Sequence, residues 1–241
     1  MRELTPQEMM TIWEAGQGRS LTHKALLLLS CANPELTWET LASLPIGERD
    51  SRLLQLRERT FGNKLSSLAT CPACRQDLEL NFTTDDLQIS RPEQQTQPLS
   101  LEMGDYRVAF RLLNSADLQG LEGADDARTH LLRRCLEGAW YRGKKRAFSR
   151  LPASILDAVI QRMSDADPQA DVHARLTCPN CGHTWGALFD IVSFFWEEIE
   201  RWIRRTLREV HLLASAYSWR EADILALSPW RRHCYLKMVQ P

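Results

Sequence analysis

The chain has 241 residues, 44% of them hydrophobic and 25% charged, and a net charge of −1. These proportions describe an ordinary globular protein of one large domain or two modest ones. They exclude the strong basic field of a general nucleic-acid binder and the apolar run of about 20 residues that a membrane-spanning helix needs.

The first sixty residues read as helices. Thr5-Pro6-Gln7-Glu8 has capping-box spacing with Pro in the first helical position, and Gly16 and Gly18 close that helix. A second helix covers Leu21 to Cys31 and stops at Asn33-Pro34, and a short one follows from Trp38 to Ser43. Pro45 and Gly47 introduce a longer helix to Phe61, with Leu53, Leu54 and Leu56 inward and Arg49, Arg52, Arg57 and Arg59 in water. Met1 to Pro6 does not have the pattern of a signal peptide.

Next comes Cys71-Pro72-Ala73-Cys74, flanked by expected strands at Leu65 to Thr70 and Gln76 to Phe82. Cys178-Pro179-Asn180-Cys181 repeats the pattern, between strands at Arg175 to Thr177 and His183 to Phe189. A CxxC turn aims two thiolates at one point, and Zn²⁺ takes four soft ligands in a tetrahedron. Cys71, Cys74, Cys178 and Cys181 are therefore the expected ligands of one structural zinc, in a ribbon split by the 103 residues between Cys74 and Cys178. Competing readings are two disulfides, a redox CxxC, a rubredoxin-like iron site, or His183 as a ligand. Gly182 follows the second pair, where positive φ is favoured, but Arg75 holds that place in the first. Seven cysteines, an odd number, suit a reducing cytoplasm; Cys31, Cys135 and Cys234 read as core residues.

Between the knuckles, Ser90 to Pro98 reads as a polar linker, and Leu99 to Met103 with Tyr106 to Leu112 as a hairpin turning at Gly104-Asp105. Helices are expected at Ser115 to Leu121, Ala124 to Leu136 and Pro152 to Met163, with a solvated basic loop at Arg142 to Arg146. Asp165 to Pro168 reads as a turn. After Asp190, apolar residues recur at helical spacing through Ile191, Phe195, Ile199, Trp202 or Ile203, Val210, Leu213 and Tyr217. Glu197–Arg201 and Glu200–Arg204 fall at i, i+4. Ser218 to Glu221 has capping-box spacing for a short helix to Leu227, and Ser228-Pro229 starts the last one. One helix buries only one face, so Trp196, Trp202, Trp219 and Trp230 are candidate partner contacts.

The expected fold is α+β and mostly helical. It has an N-terminal helical region (1–62), two ribbon halves (63–89 and 168–190), an inserted hairpin-plus-helices segment (90–167) and a C-terminal helical region (191–241). No nucleophile–base pair, HExxH, GxSxG or glycine-rich phosphate loop is present, so nothing asks for an enzyme. Leu44 to Asp50 (LPIGERD), Leu53 to Gly62 (LLQLRERTFG), the first CPxC and the tail from Phe194 to Arg232 resemble baseplate-associated proteins of bacterial contractile injection systems. These are similar to the T4-phage-type baseplate hub assembly chaperones; in the tail a Gly is expected where Ser218 stands. The resemblance implies a cytoplasmic assembly factor or minor component that binds baseplate or hub proteins. The alternative, a zinc-ribbon nucleic-acid module, requires a basic ribbon, yet Asp77, Glu79, Asp85 and Asp86 are acidic.

Overall fold

The computed structural model describes residues 1–89, 99–119 and 126–239. The expected linker at 90–98 lies outside these, as do the end of the helix expected to Leu121 and the start of the one expected from Ala124. Helices α1 (Pro6–Ala15), α2 (Leu21–Ala32), α3 (Trp38–Ala42) and α4 (Ile46–Phe61) follow the sequence closely. Thr5 and Glu8 form the reciprocal capping box, and the Asn33 side chain donates to the Leu29 carbonyl where α2 ends. Strands β1 (Lys64–Thr70) and β2 (Asp77–Thr83) form the first antiparallel hairpin, and α5 (Thr84–Leu87) closes it.

The segment that follows builds a core of its own. Strands β3 (Leu99–Met103) and β4 (Tyr106–Phe110), helices α6 (Ser115–Leu118) and α7 (Ala127–Cys135), strands β5 (Leu136–Tyr141) and β6 (Lys144–Lys145), and helix α8 (Ala153–Ala166) come in that order. The strands form one antiparallel sheet, β3-β4-β5-β6, whose buried Val108, Phe110 and Ala139 meet Leu132 of α7 and Ile155 and Val159 of α8. The basic loop expected at 142–146 is part of this sheet: Arg142 and Gly143 take positive φ in a tight turn, and Lys144 and Lys145 pair with β5. Strand β5 itself has no sequence forecast. Helix α8 runs through Asp165, where a turn is expected, and a 3-10 turn follows at Pro168–Ala170.

Strands β7 (His173–Thr177) and β8 (Thr184–Leu188) make the second hairpin, and α9 (Ile191–Tyr217), α10 (Glu221–Leu225) and α11 (Pro229–Val239) complete the chain. Helix α9 is the backbone of the molecule. Its fully buried Phe195, Ile199 and Ile203 fall at i, i+4, i+8 and pack with Leu26, Leu29, Leu53 and Leu56 of α2 and α4. Burying each such side chain contributes roughly 1.5–3 kcal/mol. The tail corrects one expectation. Ser218 does not open a capping box; it is the left-handed C-cap of α9, at φ 56°, and Arg220 holds the N-cap position of α10 without a side-chain bond.

Two arginines expected in water are buried. Arg49 and Arg57 lie on the same face of α4 as Leu53, and only 6% and 2% of them is exposed. Arg49 pairs with Asp50 at 2.7 Å and reaches Ser115. Arg57 grips both carboxylate oxygens of Glu198 on α9 at 2.7 Å and donates to the carbonyls of Gly62 and Lys64. Its fork therefore joins α4, α9 and the start of β1.

The inserted segment is docked through the start of α4. The Ile46 N–H donates to Leu113 O, the Gly47 N–H donates to Asp167, and a Cβ on Gly47 would meet Asp167 at 2.2 Å. The buried Gln169 side chain accepts from the Ile89 N–H and donates to Leu87 O, so the 3-10 turn holds the end of α5 as well.

Candidate metal centre

Each hairpin presents its cysteines by the same local geometry. In the first, the Cys71 N–H donates to Gln76 O and the Arg75 N–H to Cys71 O; in the second, Cys178 N–H donates to His183 O and Gly182 N–H to Cys178 O, all at 2.9 Å. The residue after each second cysteine is left-handed, Arg75 at φ 60° and Gly182 at φ 74°. Closing the turn forces this conformation, because the N–H must point back over the first cysteine.

The hairpins alternate inward and outward, and their inner faces meet. Leu78 and Leu80 of β2 and Trp185 of β8 pack with the buried Cys71 and Cys178 in a small core beneath the knuckles. That contact brings the four thiols together: Cys71 lies 3.7 Å from Cys181, Cys74 lies 3.6 Å from Cys178, and all four sulfurs fall within 4.8 Å of one another. Four metal–sulfur bonds of about 2.3 Å in a tetrahedron set the sulfurs roughly 3.8 Å apart, so this cluster is compatible with one metal ion. His183 is not part of it; its ring stacks on Trp185 at 6.0 Å.

The four thiols are electrostatically unequal. The Gln76 backbone and the Asn180 side-chain amide, 3.7 Å from Cys74 Sγ, lower that thiol to about 6. At Cys181 the His183 backbone favours the thiolate, but desolvation and the neighbouring Cys74, Cys178 and Cys71 push it up to about 12. Four thiolates so close repel one another, and a central cation removes that cost.

The four tryptophans are placed differently from one another. Trp196 is core: a Cβ on Gly16 would lie 2.1 Å from its ring, and the Lys24 ammonium sits 4.5 Å from the ring centroid. This corrects its expected place on an open surface. Trp202 is half-buried beside the main core, and Trp219 stacks on Tyr217 at 4.8 Å and meets Tyr235 edge-on. Trp230 is 74% exposed.

Residues 25–196 match the model of the T4 bacteriophage base plate protein family, well over half of the chain. The chain belongs to that family. The matched stretch begins in α2, includes both knuckles and the whole inserted segment, and ends in the first turns of α9. Most of the tail that carries the sequence resemblance therefore lies beyond it. No curated protein and no solved structure gave a match. All four cysteines of the cluster lie within the matched stretch.

Proposed function

We propose that this base plate protein is a non-enzymatic assembly factor or minor component for the baseplate or hub of a contractile injection system. It acts in the cytoplasm by protein–protein binding, and Cys71, Cys74, Cys178 and Cys181 hold one structural Zn²⁺. The hairpins β1–β2 and β7–β8 are the halves of a split zinc ribbon, separating an N-terminal helical region, an inserted segment and a C-terminal helical region. The convergence of the two knuckles within a base plate family chain carries this reading. Four thiolates fill a tetrahedral site and leave no position for substrate, which favours a structural over a catalytic metal. Zinc is distinguished from iron by a colourless protein with one zinc per chain.

A tagged pull-down from cells expressing the neighbouring locus, run beside sedimented particles, tests the role. An assembly factor comes down with free baseplate or hub subunits and is absent from particles. A minor component appears in particles at fixed stoichiometry. Recovery of nucleic acid without any baseplate subunit overturns the proposal.

A further inference from the structure

Beside the metal centre, between the outward face of β1–β2 and α9, two surface troughs of about 430 and 660 Å³ meet. They share Ser66 and Arg201, so they adjoin along one face as a two-part groove. Its two ends differ in charge. At one end Lys64 and Arg205 lie beside Phe61 and Trp202, with Arg201 at the junction of the two troughs. Arg57 there is paired with Glu198, but among the described residues no carboxylate lies within ion-pair distance of Lys64, Arg201 or Arg205, and Arg201 donates to the Glu197 backbone carbonyl. The other end carries Glu79 and Glu197 beside Leu68, which is 73% exposed on the outward face of β1. In a chain whose net charge is −1, three cations without an ion-pair partner among the described residues, beside half-buried aromatic rings, are a local concentration of positive charge.

We infer that this groove binds an extended polypeptide segment of a baseplate or hub protein. The segment carries carboxylates over Lys64, Arg201 and Arg205, then an apolar side chain against Trp202 or Leu68, then a basic residue toward Glu79 and Glu197. The inference rests on the assembly role proposed above and names the surface and the chemistry of the client. Charge complementarity selects a polypeptide. A nucleic-acid strand is uniformly anionic, and at the end where Glu79 and Glu197 outnumber Arg201 it meets net negative charge, whereas a peptide reverses its charge within a few residues. Trp202 on one side of the junction and Leu68 on the other supply the apolar contact such an interface needs.

The test uses the full-length, metal-loaded protein. Purified baseplate and hub subunits of the same apparatus, and overlapping 15-residue peptides covering them, are measured one at a time by interferometry at two salt concentrations. The expected result is a peptide with acidic–apolar–basic order whose affinity falls with salt and about tenfold or more in the triple variant Lys64→Glu, Arg201→Glu, Arg205→Glu. Glu79→Lys with Glu197→Lys weakens the same peptide, and Lys144→Glu with Lys145→Glu, on the β5–β6 turn, does not. All these positions are exposed, so unchanged melting temperatures confirm intact variants. If a subunit binds the parent and the triple variant equally, or if scrambling the peptide order leaves binding unchanged, the groove is not the docking site, although the assembly role stands. If no subunit binds the parent at all, the assembly role itself fails. Retention of a single-stranded oligonucleotide in preference to every peptide overturns the choice of a polypeptide.

Discussion

Arg57 occupies a position where a neutral side chain would leave four polar atoms without partners. Its buried guanidinium satisfies both oxygens of the partly buried Glu198 and two backbone carbonyls. Removing one partner of a buried pair leaves the other charge uncompensated, so Arg57→Met is expected to cost about 3–5 kcal/mol in urea denaturation. Arg57→Lys keeps the charge and still loses most of that, because an ammonium cannot span the fork. Among the described residues, three hold left-handed backbone with a Cβ in place: Arg75, Arg142 and Ser218. That conformation is costly for L-residues and open to glycine, so Arg75→Gly and Ser218→Gly should each gain about 0.5–1 kcal/mol, read as a raised melting temperature. A glycine that failed to stabilise at 218 would show that the Ser218 side chain has a compensating role. Glu8 supplies a pH handle. Its bond to Arg2, together with the Thr5 cap, lowers its carboxyl from 4.5 to about 2. A depressed carboxylate stabilises above its unfolded pKa, so this contribution is complete above about 4.5 and is lost as pH falls toward 2. Glu8→Gln should flatten the stability–pH curve in that window, lowering stability by a constant amount above it and leaving it unchanged below.

Among elements, the two hairpins show what pattern can and cannot reveal. Both CPxC turns and their flanking strands are legible because a metal ligand pair has a fixed spacing and a strand has period 2. The caps at Thr5 and Asn33, and the long stripe of α9, are legible for the same reason: each is a local rule. The burial of Arg49 and Arg57 was missed: both lie four residues from Leu53 on its inward face, but the preference of arginine for water outweighed that spacing. Strand β5 and the Gly47–Asp167 contact were not legible. β5 exists because it pairs with β4, and Gly47 matters because of a residue 120 positions away. The hairpin pair makes the sharpest prediction at this scale. With Cys178→Ser, one thiolate of the shared site is gone; metal content should fall below one per chain, and β1–β2, which holds none of the mutated sequence, should lose amide protection along with β7–β8. A variant that kept one metal and melted like the parent would separate the two knuckles.

At the scale of the whole molecule, two cores are held together by a narrow seam. The main core draws on α1, α2, α4 and α9, and the second lies within residues 99–166. The start of α4 is the seam, and Gly47 is its tightest point, since an added methyl would also lie 3.0 Å from the Ala170 backbone nitrogen. Gly47→Ala should cost about 1–3 kcal/mol and loosen the coupling, so that calorimetry resolves two unfolding steps where the parent shows them merged. One unaltered transition would show that the seam absorbs the methyl. The placement of α9 has a further consequence, in time. The ribosome delivers α1, α2 and α4 first, yet their apolar faces are completed by Phe195, Ile199 and Ile203, after both cysteine pairs have emerged. At 5–20 residues per second the interval is on the order of ten seconds. Throughout it the N-terminal helices present Leu26, Leu29, Leu53 and Leu56 without their cover, and Arg57 waits without Glu198. A nascent chain of this protein therefore carries that apolar surface open until α9 has emerged.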